Sequence, residues 1–266
     1  MIFPREHGAW GILLVPLITG AAAGLDRGGR ADSLAPLAIA ALALFWLRTP
    51  VESWLGSTPI KARTAEETGL VRNACLALSA VAAAALLWLF RGWRNPGLLW
   101  IGATAGAAFL GRTILRIVWR KRRTAAQIVG AAGLTSLAAA ACYAATNRLD
   151  RMAWSLWILN FLFAANQIQF VQLRIRAGHA KNAAARMAYG RGFLWFQVFS
   201  IAFLAAACAG RLIDWYLVFA FVPIFWRGFA WYRSPFQPLA VHALGKRELA
   251  YAIAFGSMLI AGVVLG

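Results

Sequence analysis

Apolar residues fall along this chain in nine blocks, residues 8–25, 34–51, 72–90, 96–116, 125–146, 153–172, 192–210, 213–231 and 248–265, with polar residues between them. Most reach the roughly 20 residues that a helix needs to cross about 30 Å of hydrocarbon. In that solvent a helix satisfies its own backbone hydrogen bonds, so the pattern predicts an all-α fold. The expected architecture is a polytopic membrane protein, a bundle of about nine transmembrane helices forming one integral domain over residues 1–266. A very tight turn separates the seventh block from the eighth, which leaves eight crossings as the alternative count.

The intervals between blocks differ in charge. Counted in alternate intervals from the N-terminus, twenty of the 27 Lys and Arg fall on one side and seven on the other. Basic residues in short loops resist translocation, so the N-terminus is expected in the cytoplasm and the C-terminus outside. Connections on the basic side are also expected to be long, running through Gly56 to Leu70, Arg176 to Arg191 and Ser234 to Lys246. Long loops in a compact domain are commonly functional, so the active surface is expected to face the cytoplasm.

Composition removes most soluble chemistry. Hydrophobic residues make up 61% and charged residues 14% of the chain, with a mean hydropathy of +0.64, against about half apolar and a quarter charged in ordinary globular domains. The net charge of +18 lies mainly in loops beside apolar blocks, where anionic lipid headgroups are nearer partners than nucleic acid. Membrane lipids are therefore the expected partner, and nucleic acid is not. Cys75, Cys142 and Cys208 form no ligand-spaced pair and read as packing residues. Arg5 and Ala21 to Ala23 faintly imitate a signal peptide, but Glu6 and His7 interrupt it, so the first block is expected to remain as a span. Trp54, Trp93, Trp119, Trp154, Trp226 and Trp231 lie near block ends and read as an aromatic belt. Small residues within blocks, such as Gly102 to Gly106 and Gly130 to Gly133, predict close helix packing.

Four constellations carry candidate chemistry. Pro4-Arg5-Glu6-His7-Gly8-Ala9-Trp10 places a cation, an anion and an imidazole at the mouth of the first block, either as an interfacial anchor or as a binding or catalytic site using His7 or Glu6. Arg112, Arg116 and Arg120 recur every four residues on one helical stripe, where like charges repel unless an anion lies between them; snorkelling to lipid phosphates, bidentate recognition of a bound phosphate or carboxylate, and simple retention of topology are the three readings. Asn160, Asn166, Gln167, Gln169 and Gln172 make the sixth block the most polar, ahead of Arg174 and Arg176. That density exceeds what interhelical hydrogen bonding alone requires and suggests a hydrated cavity near the basic end. Glu52 follows the second block, with Arg48 four residues earlier as its simplest partner. One carboxylate supplies too few oxygens for a metal unless substrate phosphates supply the rest, so no metal and no cofactor are expected. No phosphate-loop, zinc-hydrolase, nucleophile-elbow or dinucleotide motif occurs.

The opening Pro4 to Trp10, followed by Val15-Pro16, resembles that of the YwiC-like family of bacterial membrane proteins, which implies a bacterial cytoplasmic (inner) membrane location. Nine helices with enlarged inner loops after the second and sixth also look like the UbiA superfamily of intramembrane prenyltransferases. In that superfamily the two loops carry Asp-rich motifs that bind prenyl diphosphate through Mg²⁺. Here the first offers Glu52, Glu66 and Glu67 but no Asp, and residues 173 to 191 contain no acid. A bridging Mg²⁺ would lack its protein anchor, so the expectation is a degenerate relative whose catalysis is open.

The leading expectation is a basic cytoplasmic pocket for an anionic amphiphile, an isoprenoid or phospholipid. Arg112, Arg116, Arg174 and Arg176 would engage the head, while His7, Glu52, Asn166 and Gln169 would shape the pocket. The alternatives are a small-molecule or ion transporter using the polar face of the sixth block, and a scaffold subunit without ligand.

Overall fold

The computed structural model describes residues 7–54, 64–91, 96–118, 123–234 and 240–266, apart from the side chains of residues 7–9 and 117. Every regular element among them is helical: α1 His7–Asp26, α2 Leu34–Trp54, α3 Ala65–Arg91, α4 Pro96–Val118, α5 Arg123–Thr135, α6 Leu137–Thr146, α7 Arg151–Ala177, α8 Ala183–Ala209, α9 Trp215–Val218, a 3₁₀ turn Phe219–Phe221, α10 Val222–Arg233 and α11 Val241–Leu265. Seven of these rods, with α5 and α6 taken together, are long and apolar enough to cross a membrane, and Trp10–Asp26 is a shorter apolar helix. The eighth predicted block, 213–231, is the rod formed by α9, the 3₁₀ turn and α10. The all-helical, polytopic architecture expected from the sequence is therefore the one observed.

Local chemistry explains the helix ends and breaks. Thr64 and Glu67 form a capping box: the Glu67 amide donates to Thr64 Oγ1 at 3.1 Å, and the Thr64 amide donates to Glu67 Oε2 at 3.3 Å. Asp150 caps α7 by accepting from the Ala153 amide, and Asn182 caps α8 by accepting from the Ala185 amide. Asn147 ends α6 in the left-handed region at φ 57°, a conformation Asn tolerates better than most residues. Pro223 lacks the N–H a continuous helix would need and sits in the first turn of α10, just past the 3₁₀ turn.

These caps correct the expected loops. The basic-side connection expected over Arg176 to Arg191 is short, because α7 runs to Ala177 and α8 begins at Ala183. Hydropathy registers only the stretch immersed in lipid, whereas helix propensity and the Asn182 cap extend the helix into the polar zone. Likewise α3 begins at Ala65 and α11 at Val241, while residues 55–63 and 235–239 of the other two connections lie outside the described residues.

Packing centres on α1, α6 and α7. A Cβ on Gly20 would lie 2.1 Å from the Ala138 carbonyl oxygen, and one on Gly24 would lie 2.6 Å from Ala145 Cβ. Glycines four apart thus let the α1 and α6 backbones touch, the arrangement that replaces hydrophobic drive when lipid is the solvent. Gly133 has the close neighbours Ala105 and Ala108, as expected, but Gly102 and Gly106 face open space. A main core is closed by Phe163 stacked on Phe255 at 4.2 Å. A smaller cluster of Phe170, Leu173, Phe193, Trp231 and Leu244 joins α7, α8, α10 and α11. Trp231 is therefore buried core rather than belt, whereas Trp54, Trp154 and Trp226 are exposed and Trp93 and Trp119 lie outside the described residues.

Alternation of the rods gives the bundle two ends. At the basic end α2, α4, α7 and α10 finish and α3, α5, α8 and α11 begin. By chain position all five glutamates belong to this end and all four aspartates to the other.

Candidate functional site

Three charged groupings stand out. At the end of α2, Glu52 Oε1 accepts from Arg48 Nε at 3.0 Å, Arg112 Nη2 at 3.4 Å and Arg116 Nη1 at 3.2 Å. The stripe of arginines on α4 required an anion between its members, and a carboxylate of the protein itself stands there. Glu52, Arg112 and Arg116 are thus brought together, with Arg112 half-buried beside Gly130 of α5. Arg120 and Glu6 lie outside the described residues, and so does the His7 side chain.

The second grouping lies within the bundle. Arg227 of α10 and Glu248 of α11 form an ion pair, with side chains 5% and 6% exposed. Arg227 Nη2 also donates to Asn166 Oδ1 at 2.8 Å, and Asn166 Nδ2 donates to Gln197 Oε1 at 2.7 Å. Gln167 Nε2 donates to the Glu248 carbonyl at 2.9 Å. The guanidinium lies 4.3 Å above the Phe170 ring and 5.0 Å from the Tyr251 ring. Stripping water from both ions is costly, and close pairing, amide contacts and aromatic faces offset that cost. Three atoms of this network stay without hydrogen-bond partners: Arg227 Nε, Gln197 Nε2 and Gln167 Oε1.

Arg174 stands one turn nearer the basic end than Phe170 and two turns from Asn166, on the same stripe of α7. Its charged neighbours are Arg247, Arg186 and Glu248, and Glu248 is already engaged by Arg227. Among the described residues the Arg174 guanidinium has no hydrogen bond or ion pair, although it is half-buried. Arg186 donates to the Trp231 carbonyl at 2.6 Å and lies 4.5 Å above its ring.

The other polar residues of α7 divide by face. Asn160 donates to Thr19 Oγ1 at 3.1 Å and to the Leu156 carbonyl, which ties α7 to α1 beside Pro16. Gln172 and Arg176 reach Gln127 and Thr124 of α5, each at 3.2 Å. Gln169 is half-buried and makes no hydrogen bond among the described residues. Asn166 and Gln167, expected beside a hydrated cavity, are instead packed against neighbouring helices.

The third grouping closes the opposite end. Arg27 Nη2 donates to Asp150 Oδ2 at 2.5 Å, and Arg151 Nη2 bridges both Asp214 oxygens at 3.0 and 3.1 Å. These side chains flank an open cavity of about 310 Å³. Burial works against ionisation of Asp150, but hydrogen bonds from Arg27 and the Ala153 amide outweigh it and hold the carboxyl below its usual range. The same hydrogen bond raises the Arg27 guanidinium above its ordinary value.

Gln197, Arg227 and Glu248 were absent from the expected site, although the sequence carried a signal. Arg227 interrupts the apolar run 213–231, and Glu248 opens the run 248–265. A charge inside a span marks a functional candidate, whereas the count of basic residues enters Arg227 only as one of the twenty on the basic side. Among the described residues no three His, Cys, Asp or Glu lie close enough to hold a metal ion. No curated protein and no solved structure matches the chain. A family model described as a YwiC-like protein matches residues 3–143, which span α1 to α6 and include Glu52, Arg112 and Arg116.

Proposed function

The chain belongs to the YwiC-like family, and we propose that it is an inner-membrane protein that binds the anionic head of an isoprenoid or phospholipid at its cytoplasmic end. The binding surface lies between α7, α8, α10 and α11, with Arg174 as the principal contact and Arg186 and Arg247 beside it. One observation carries this reading: Arg174 is half-buried among like charges and has no acceptor among the described residues. A guanidinium in low dielectric gains most from a bidentate carboxylate or phosphate, and a lipid head at the interface supplies one. The acyl or prenyl chains would lie along the exposed apolar faces of these helices. Twenty basic against five acidic residues at this end by chain position favour an anion and a cytoplasmic orientation.

Within this reading the Arg112 and Arg116 cluster plays a lesser part in binding, since Glu52 already lies between its guanidiniums. A UbiA-like diphosphate chemistry would need Mg²⁺ ligands, and among the described residues no three His, Cys, Asp or Glu lie close enough to hold the ion; the activity proposed is binding. The test is mass spectrometry of lipids retained by the purified protein. Loss of one anionic lipid class in Arg174→Ala but not in Arg116→Ala supports the reading, and equal retention in all three proteins rejects it.

A carrier for small molecules or ions is the second reading, favoured by the charged network inside the spans. Flux through proteoliposomes that disappears in Asn166→Ala would support it, and no flux of any anion tested would remove it.

A further inference from the structure

Beneath the headgroup surface lies a second guanidinium, and the geometry points to Arg227 as an inner anion site whose present occupant, the carboxylate of Glu248, is exchangeable for the anionic group of a ligand. This deepens the headgroup reading and rests on it.

Two buried donors of the network around Arg227 are unmet. Its donors include the N–H groups of Arg227 and the amides of Asn166 and Gln197, and the acceptors they reach are Glu248 Oε2, Asn166 Oδ1 and Gln197 Oε1. Arg227 Nε and Gln197 Nε2 donate to nothing although both residues are more than nine-tenths buried. Unmet buried donors are costly. A phosphodiester or carboxylate brings the oxygens that these two donors lack. An unmet acceptor, Gln167 Oε1, belongs to the amide that already bonds the Glu248 carbonyl. It is the kind of acceptor that a protonated Glu248 would need.

The position allows such an exchange. Glu248 is the eighth residue of α11, about 10 Å along the axis from the basic end. Arg174 stands on the same stripe as Phe170, whose ring lies under Arg227. A head captured by Arg174 thus meets Arg227 next along α7. The charged groups around Glu248 are Arg227 from α10, Arg174 from α7 and Arg247 on its own helix, with Arg186 of α8 beside Arg174. Tyr251 is the titratable group beside Arg227.

In the exchange the Arg227–Glu248 contact breaks, the ligand's anionic oxygens take its place on Arg227, and the displaced carboxylate stays buried without its partner, the setting in which a carboxyl group takes up a proton. Glu248 then forms one O–H bond with a proton from the aqueous side, so one proton enters with each anion.

The test is calorimetry of the purified full-length protein with dioctanoyl phosphatidylglycerol, whose phosphodiester does not titrate near neutral pH, in two buffers of different ionisation enthalpy. Dimethyl phosphate, the same anion without chains, forms the second arm and separates a lipid ligand from a free phosphodiester. The expected result is uptake of one proton per ligand, with affinity falling about tenfold per pH unit where Glu248 is ionised. Glu248→Gln mimics the neutral carboxyl and is expected to bind without proton uptake or pH dependence. Arg174-dependent binding by the wild type without proton uptake overturns the exchange and leaves the headgroup reading standing. Absence of binding in both arms overturns both. Because wild-type proton uptake decides the matter, the test survives a failure of the variant to fold.

Discussion

Arg227 on α10 and Glu248 on α11 face each other inside the bundle, 21 residues apart in sequence, and each is at least 94% buried. Removing one partner leaves an uncompensated charge in low dielectric. Arg227→Ala is therefore expected to destabilise the protein by about 3–5 kcal/mol. Replacing both by apolar residues, Arg227→Met with Glu248→Leu, is expected to cost much less while abolishing ligand-linked proton uptake. Thermal unfolding in detergent of the single and double variants measures both.

Helix contact provides a sharper contrast. Gly20→Ala would drive a Cβ into the Ala138 carbonyl, whose backbone cannot rotate away. The expected loss is about 1–3 kcal/mol from overpacking. Gly102→Ala meets nothing within 4 Å and, with Ala the better helix former inside α4, is expected to raise the melting temperature slightly.

The opposite end has a pH signature. Asp150 has its carboxyl depressed in the folded protein, so its contribution is present above the unfolded aspartate range and is lost as pH falls through the lower folded value. Asp150→Asn keeps an N-cap but loses the negative charge that faces Arg27. Its melting temperature is expected to lie below that of the wild type at neutral pH, with the gap beginning to close as pH falls below the usual aspartate value of 3.8.

The start of α3 rests on Thr64. Thr64→Ala is expected to cost about 1 kcal/mol through loss of the cap, with fraying of the first turn visible as faster amide exchange at residues 65–68.

How much of this was legible in the sequence depended on which force set each feature. Hydropathy located every rod, because immersion in lipid is the strongest constraint on composition. It missed the polar extensions at the starts of α3, α8 and α11, where caps such as Thr64 and Asn182 decide the boundary. The stripe Arg112 and Arg116 was legible from its spacing, but not that Glu52, some 60 residues earlier, would lie between them. Asn166 was found by its polarity within a span, whereas Arg227 and Glu248 were missed because each lies near a block edge and resembles a topology signal. Their pairing depends on how α10 and α11 pack, and no local pattern encodes that.

The central claim is that Arg174 forms an anionic headgroup site, and native mass spectrometry tests it most directly. Delipidated protein would be titrated with equal amounts of phosphatidylglycerol and zwitterionic phosphatidylcholine of the same chain length. The account predicts a preference for phosphatidylglycerol of about tenfold, the size of one charge-assisted contact near 1.4 kcal/mol, which Arg174→Ala abolishes and Arg116→Ala retains. Equal binding of the two lipids by the wild type, or a preference that survives Arg174→Ala, would contradict it.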